Sequence, residues 1–176
     1  VDCEVLGVLA AEIEHSEGTE FFYGDVLSPG SNREHVCYPN RLSRYFLYTH
    51  MLCHQGWFLS IEAYLRLGKF RLEATIGCDQ VFLYDAVIGH RISYKHVPCF
   101  VVRFDIHGAS SRVALQAESW AFRESSRRQY YPWWERQLYH LVWGLRSVAR
   151  AVLFFPPFLR LFQRYQQYRF RSSFQR

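Results

Sequence analysis

Several small groups of residues in this chain have the types and spacing that chemistry requires. Arg33-Glu34-His35 sets a carboxylate beside an imidazole in one polar stretch. Either side chain can act as a general base if it is held within hydrogen-bond reach of a substrate proton. The same stretch also reads as a solvated loop. His50 and His54 stand four residues apart, which puts two imidazoles on one helical face, the spacing that zinc helices use. Met51-Leu52-Cys53 between them brings no glutamate to serve as a base, so satisfied core or interface histidines are the plainer reading and no metal is expected. Cys37, Cys53 and Cys99 become nucleophiles only where the surroundings lower the thiol pKa. Nothing in the sequence supplies such surroundings, and they read as small buried hydrophobes. The chain holds neither a glycine-rich phosphate loop nor a Gly-x-Ser-x-Gly elbow, and no cofactor is expected.

The last group lies near the C-terminus. Arg160, Arg164, Arg169 and Arg171 alternate there with Phe158, Phe162, Tyr165, Tyr168 and Phe170, and Arg146 and Arg150 precede them. Guanidinium groups suit phosphate and carboxylate, while aromatic rings stack on bases or settle among lipid headgroups. This arm therefore fits another protein, an anionic lipid surface or RNA, in that order of expectation. A solvated helix with ordinary aromatic anchors is the plain alternative.

Charge sets the arm apart. Of the 21 Lys and Arg and 16 Asp and Glu, residues 136–176 hold eight arginines and no acid, which leaves 13 bases and all 16 acids, net −3, before them. A mildly acidic body followed by a cationic arm points to an interaction tail. The bases are 19 Arg and two Lys, a ratio that a biased genome also produces. Five scattered cysteines without a Cys-x-x-Cys pair argue against a disulfide framework and for a reducing compartment. The chain opens at Val1, which a cleaved transit peptide would explain and a chain boundary would explain equally.

The elements that must position these groups follow from periodicity. Leu42–Leu67 is apolar nearly all round and ends at Gly68, which predicts one long buried helix with Phe46, Cys53 and Trp57 against a sheet. Phe21–Leu27 reads as a strand, Val5–Ile13 as a strand or a short helix, and Ser28–Asn32 as a loop. Ala74–Tyr84, Ala86–Val97, Phe100–His107 and Val113–Arg123 read as four strands of an antiparallel meander, with Tyr94 and His96 on one face. Gly108–Ser111 is the turn before the fourth, and Glu124–Arg128 is a polar hinge. Pro132 opens a last helix with a stripe of Leu138, Val142, Leu145, Val148, Val152 and Phe155 that stops near Pro156-Pro157. The arginines in it leave a run too short to span a bilayer, which takes about 20 apolar residues.

The order strand, His-bearing loop, long helix, four strands resembles the thioesterase-like hotdog family of the 4-hydroxybenzoyl-CoA thioesterase type. In the loop before the helix, His35 resembles the family histidine, Asn40 one of its asparagines and Tyr45 the tyrosine that opens the helix, with Glu34 adjacent. Ile92-Ser93-Tyr94-Lys95 resembles its first core strand. The resemblance implies an α+β hotdog fold, an antiparallel sheet wrapped around one long central helix, over residues 1–128. It also implies a dimer, acyl-thioester substrates, and Glu34, His35, Asn40 and Tyr45 as the catalytic group. The family's acid is displaced and three extra residues separate His35 from Tyr45. Residues 129–176, the helical basic extension, lie outside the family pattern.

The expected function is therefore a non-catalytic thioesterase-like accessory subunit of a large mitochondrial assembly, on the matrix side or the inner membrane. Respiratory complex, ATP synthase and ribosome are all compatible with it. Other subunits are its expected partners, with a hotdog dimer partner and lipid or RNA contact by the arm as further expectations. An acyl-CoA or acyl-carrier-protein thioesterase and an RNA-binding protein are the alternatives.

Overall fold

The computed structural model describes residues 3–28, 34–68, 70, 76–104 and 113–153. The chain forms two compact units, Val1–Tyr131 and Pro132–Arg176. The first is a mixed α+β structure. Helix α1 (Cys3–Glu14) leads into β1 (Phe21–Leu27), the run whose aromatic and β-branched residues mark it as a strand. Two short strands follow, β2 (His35–Val36) and β3 (Trp57–Leu59), then the long β4 (Tyr94–Arg103).

β1 is the centre of the sheet. β2 pairs antiparallel with its C-terminal end, Val26↔Val36, and β3 antiparallel with its start, Tyr23↔Trp57. β4 runs parallel along its whole length, from Phe21↔Tyr94 to Leu27↔Arg103. The meander expected from sequence is thus replaced by a parallel central pair, and β1 is buried on both faces, as parallel pairs are. On one face Phe22 and Val97 form a small core with Leu9 of α1, flanked by Phe58 and Cys99. The other face carries Phe21 and Tyr23, with Trp57 edge-on to Phe21 at 5.6 Å. The register shifts on either side of Asp25, and β4 presses close there. A Cβ on Gly24 would stand 2.7 Å from Val101 Cγ2 and 3.1 Å from the Cys99 carbonyl, so any side chain there would have to displace Val101.

Leu42–Leu67 is not one helix. It is α2 (Arg44–Thr49), a 3₁₀ turn (His54–Gly56), β3 and α3 (Ile61–Leu67). Two serine caps divide it: Ser43 Oγ accepts the Phe46 N–H and Ser60 Oγ accepts the Ala63 N–H, both at 3.1 Å. Between the caps, Trp57-Phe58-Leu59 pairs with β1, a non-local bond set that helix periodicity cannot see. Phe46, Cys53 and Trp57 are half-buried, not sealed under a sheet. The long central helix of a hotdog fold is therefore absent among the described residues.

Two other expected strands are helical. The run ending at Tyr84 forms α4 (Cys78–Leu83) and continues as a π-helical turn, Tyr84–Gly89. Val81, Phe82, Leu83 and Tyr84 are all buried, and a short run apolar on every side fits either period. Tertiary contact decides it. Gln80 Nε2 and Tyr84 Oη donate to the Leu47 carbonyl, at 3.0 and 3.2 Å, near the open C-terminal end of α2. Val113–Arg123 opens α5 (Val113–Tyr130), which its alanine, leucine, glutamine and glutamate favour as helix. The expected hinge Glu124–Arg128 lies inside α5, where Glu124 reaches Arg127 and Arg128 at 3.7 and 3.8 Å. The turn expected at 108–111 falls outside the described residues.

α5 is fastened to α2 by cations over rings. The Arg127 guanidinium lies 4.6 Å over Tyr48 and donates to its carbonyl at 2.7 Å. Arg44 lies 4.7 Å over Tyr131 and donates to the Tyr130 carbonyl at 2.8 Å. In the second unit, α6 (Trp133–Leu153) begins just after Pro132, as its sequence predicts.

Candidate functional site

One face of the β1–β4 pair gathers Tyr23, Asp25, Tyr94 and His96. Alternation puts Tyr23 and Asp25 of β1 on the face that holds Tyr94 and His96 of β4. His96 Nε2 meets Asp25 Oδ1 at 2.8 Å, and His96 Nδ1 meets Asn40 Oδ1 at 2.8 Å. The Asp25 and His96 side chains are 10% and 5% exposed. Asp25 Oδ1 also accepts the Tyr38 N–H at 2.8 Å. The Tyr23 ring lies 5.2 Å from the His96 ring and its hydroxyl donates to the Pro39 carbonyl at 2.6 Å. Tyr94 Oη accepts the Leu42 N–H at 3.1 Å, and Tyr38 Oη accepts the Cys53 N–H at 3.0 Å.

Four side chains of one sheet face thus hold the loop 38–42. That loop pairs with no strand, and its backbone groups at Tyr38, Pro39 and Leu42 find side-chain partners instead. Asp25, Tyr23 and Tyr94 bond its backbone, and His96 holds the Asn40 side chain. Both His96 ring nitrogens are engaged whichever way the Asn40 amide is turned. A general base needs a nitrogen lone pair open to substrate, and this imidazole offers none in the arrangement seen. The nearby thiols do not compensate. Burial pushes the Cys53 and Cys99 thiols up, away from the reactive thiolate, while Cys37 is exposed. The arrangement is suited to holding a fold together.

Burial also pushes the Tyr38 phenol up to about 12 from 10.0, and it raises the Tyr23 phenol in the same direction. A folded-state pKa above the unfolded value means that the folded protein keeps its proton longer. Stability is then full below pH 10 and falls as pH rises from 10 towards 12. The expected result is an alkaline loss of urea resistance over that window, reduced in Tyr38→Phe. Equal pH profiles for the two proteins would contradict it.

Of the residues that the sequence singles out, Asn40 alone joins the Asp25–His96 cluster. Glu34 is exposed, and its carbonyl accepts the Ser28 N–H at 2.8 Å. His35 lies in β2 with its ring edge-on to Phe100 at 5.2 Å. Tyr45 is half-buried in α2. The backbone amides around the start of α2 have partners, Leu42 N–H on Tyr94 Oη and Phe46 N–H on Ser43 Oγ. His50 and His54 share no helix: His50 caps α2 and stacks on Phe46 at 5.1 Å, while His54 pairs with Asp79 at 3.3 Å. No group of three metal-ligating side chains occurs among the described residues. Asp25 and His96, 71 positions apart, were missed, although the alternation of Tyr94 and His96 gave half the signal.

The second candidate surface is α6. Trp134, Leu138, Leu141, Leu145 and Val148 recur at helical spacing and are all exposed, with Leu141, Leu145 and Val148 at 60, 61 and 62%. Arg146 is exposed and Arg150 lies one turn on. Arg160, Arg164, Arg169 and Arg171 lie outside the described residues. An α+β body with a locked polar face, joined in sequence to an amphipathic cationic helix, is the class of protein that this structure defines. Comparison with protein-family models, with curated proteins and with solved structures found no match to the chain.

Proposed function

We propose that this chain is a non-catalytic accessory subunit that docks through residues 132–176 on a larger partner surface. The observation that carries the reading is the exposed apolar stripe of α6. A folded helix that leaves tryptophan, leucine and valine open along one line marks a place of contact, because water disfavours such a patch. The sequence after Glu135, eight arginines and no acid, extends the same contact element. The engaged nitrogens of His96 and the distance in kind between His35, packed on Phe100, and the Asp25–His96 cluster support a body that serves as scaffold. The hotdog body of the resemblance has no part in this reading, since residues 42–67 do not form its helix.

The test uses the full chain in native extracts. Leu141→Glu with Leu145→Glu removes two apolar anchors worth about 1.5–3 kcal/mol each, more than a hundredfold in affinity. Wild type should sediment with large particles and the double variant should stay in the light fraction. Identical sedimentation of the two proteins would overturn the docking reading. In the same preparations, acyl-CoA hydrolysis should be no faster for wild type than for His35→Ala. A turnover of about one per second that vanishes in His35→Ala would make the protein a thioesterase instead.

A further inference from the structure

We infer that the occupant of the α6 stripe is an anionic lipid surface, on which the helix lies flat. The inference rests on the docking reading above and names its partner. α6 has 21 residues, about 30 Å of helix, with an apolar line from Trp134 to Val148 along one side and the exposed Trp143 on the other. No described helix is long and apolar enough to cross a membrane. A helix of this length with a strong apolar face and a charged opposite face settles in the interface plane.

Charge complementarity selects the lipid. The sole acid of α6 is Glu135 in its first turn, which is hydrogen-bonded to the Tyr139 hydroxyl. Every other formal charge on the helix is arginine: Arg136, Arg146 and Arg150. On a wheel of 100° per residue these three fall on the side away from Trp134, Leu138, Leu141, Leu145 and Val148. Arg146, exposed on that side, has the reach to bring its guanidinium back to headgroup phosphates beside a sunken apolar face. In sequence the basic excess continues past the helix, and the eight arginines without an acid of residues 136–176 are the pattern that anionic leaflets attract. Trp133 and Trp134, exposed at the start of α6, suit the headgroup depth where tryptophan concentrates.

Flotation of the full chain with vesicles tests this directly. Vesicles of phosphatidylcholine with about one-third phosphatidylglycerol should carry the protein up, and phosphatidylcholine alone should carry much less. Arg146→Gln should weaken partition about fivefold, and Arg146→Gln with Arg150→Gln about twentyfold. Raising the salt should weaken wild type and bring it towards the double arginine variant. Leu141→Gln with Leu145→Gln should stay at the bottom of the gradient, with its near-ultraviolet circular dichroism unchanged to show that the body is folded. Equal flotation with the two lipid mixtures, or none with either, overturns the inference. If vesicles fail while sedimentation in native extracts still depends on Leu141 and Leu145, the docking reading stands and its occupant is a protein groove.

Discussion

Asp25→Ala should lower the unfolding free energy of the full chain by about 3–5 kcal/mol, measured by urea titration. The carboxylate is nearly enclosed and serves two donors, His96 Nε2 and the Tyr38 N–H, both at 2.8 Å. Removing it strands both, and an enclosed donor without a partner costs its full desolvation. Domains of this kind are stable by only about 5–15 kcal/mol, so the loss is a large share of the total. Asp25→Asn keeps an acceptor of the same size and should cost less, about 1–2 kcal/mol. A double-mutant cycle with His96→Ala should show a coupling of about 1–3 kcal/mol, since the two residues are direct partners. An Asp25→Ala cost under about 1 kcal/mol would mean that the loop 38–42 holds without the cluster.

The second large effect is expected at Tyr131, the last residue of the body. Its side chain is almost fully buried and packs edge-on to Tyr48 at 5.1 Å and to Tyr84 at 5.7 Å. Arg44 covers its face at 4.7 Å, and its hydroxyl donates to the Arg44 carbonyl at 3.2 Å. Tyr131→Ala leaves a ring-sized cavity between α2, α5 and the π-helical turn, which should cost about 3–5 kcal/mol. Tyr131→Phe removes one hydrogen bond and keeps the packing, for about 1 kcal/mol. Thermal unfolding followed by near-ultraviolet circular dichroism separates the two. A Tyr131→Ala protein as stable as Tyr131→Phe would show that the ring contributes nothing beyond its hydroxyl.

The resemblance to a hotdog thioesterase rested on element order, and element order is where the sequence was least able to speak. Residues 42–67 are apolar on every side, and a pattern without a preferred face has no preferred period. Ser43 and Ser60 are cap residue types, but only their bonds to the Phe46 and Ala63 N–H groups show that two separate helices begin there. The same ambiguity hid α4 in a run that read as strand, and α5 opens in another whose residues are mostly helix formers.

What the sequence by itself determined are the features that depend on neighbours along the chain. β1 at Phe21–Leu27 follows from a compact aromatic and aliphatic run, and the start of α6 from Pro132 and a spaced apolar line. The switch from an acidic body to an acid-free basic arm is a property of composition and needs no fold. Tertiary structure alone decided the partners. That β4 runs parallel to β1, that Trp57–Leu59 leaves a helical stretch to pair with Phe21–Tyr23, and that His96 finds Asp25 and Asn40 all depend on contacts across 34 to 76 positions. Such contacts form only when burial and backbone pairing outweigh the entropy of closing long loops. Local propensity is worth a few tenths of a kcal/mol per residue, and a strand pairing or an enclosed hydrogen-bonded cluster exceeds it.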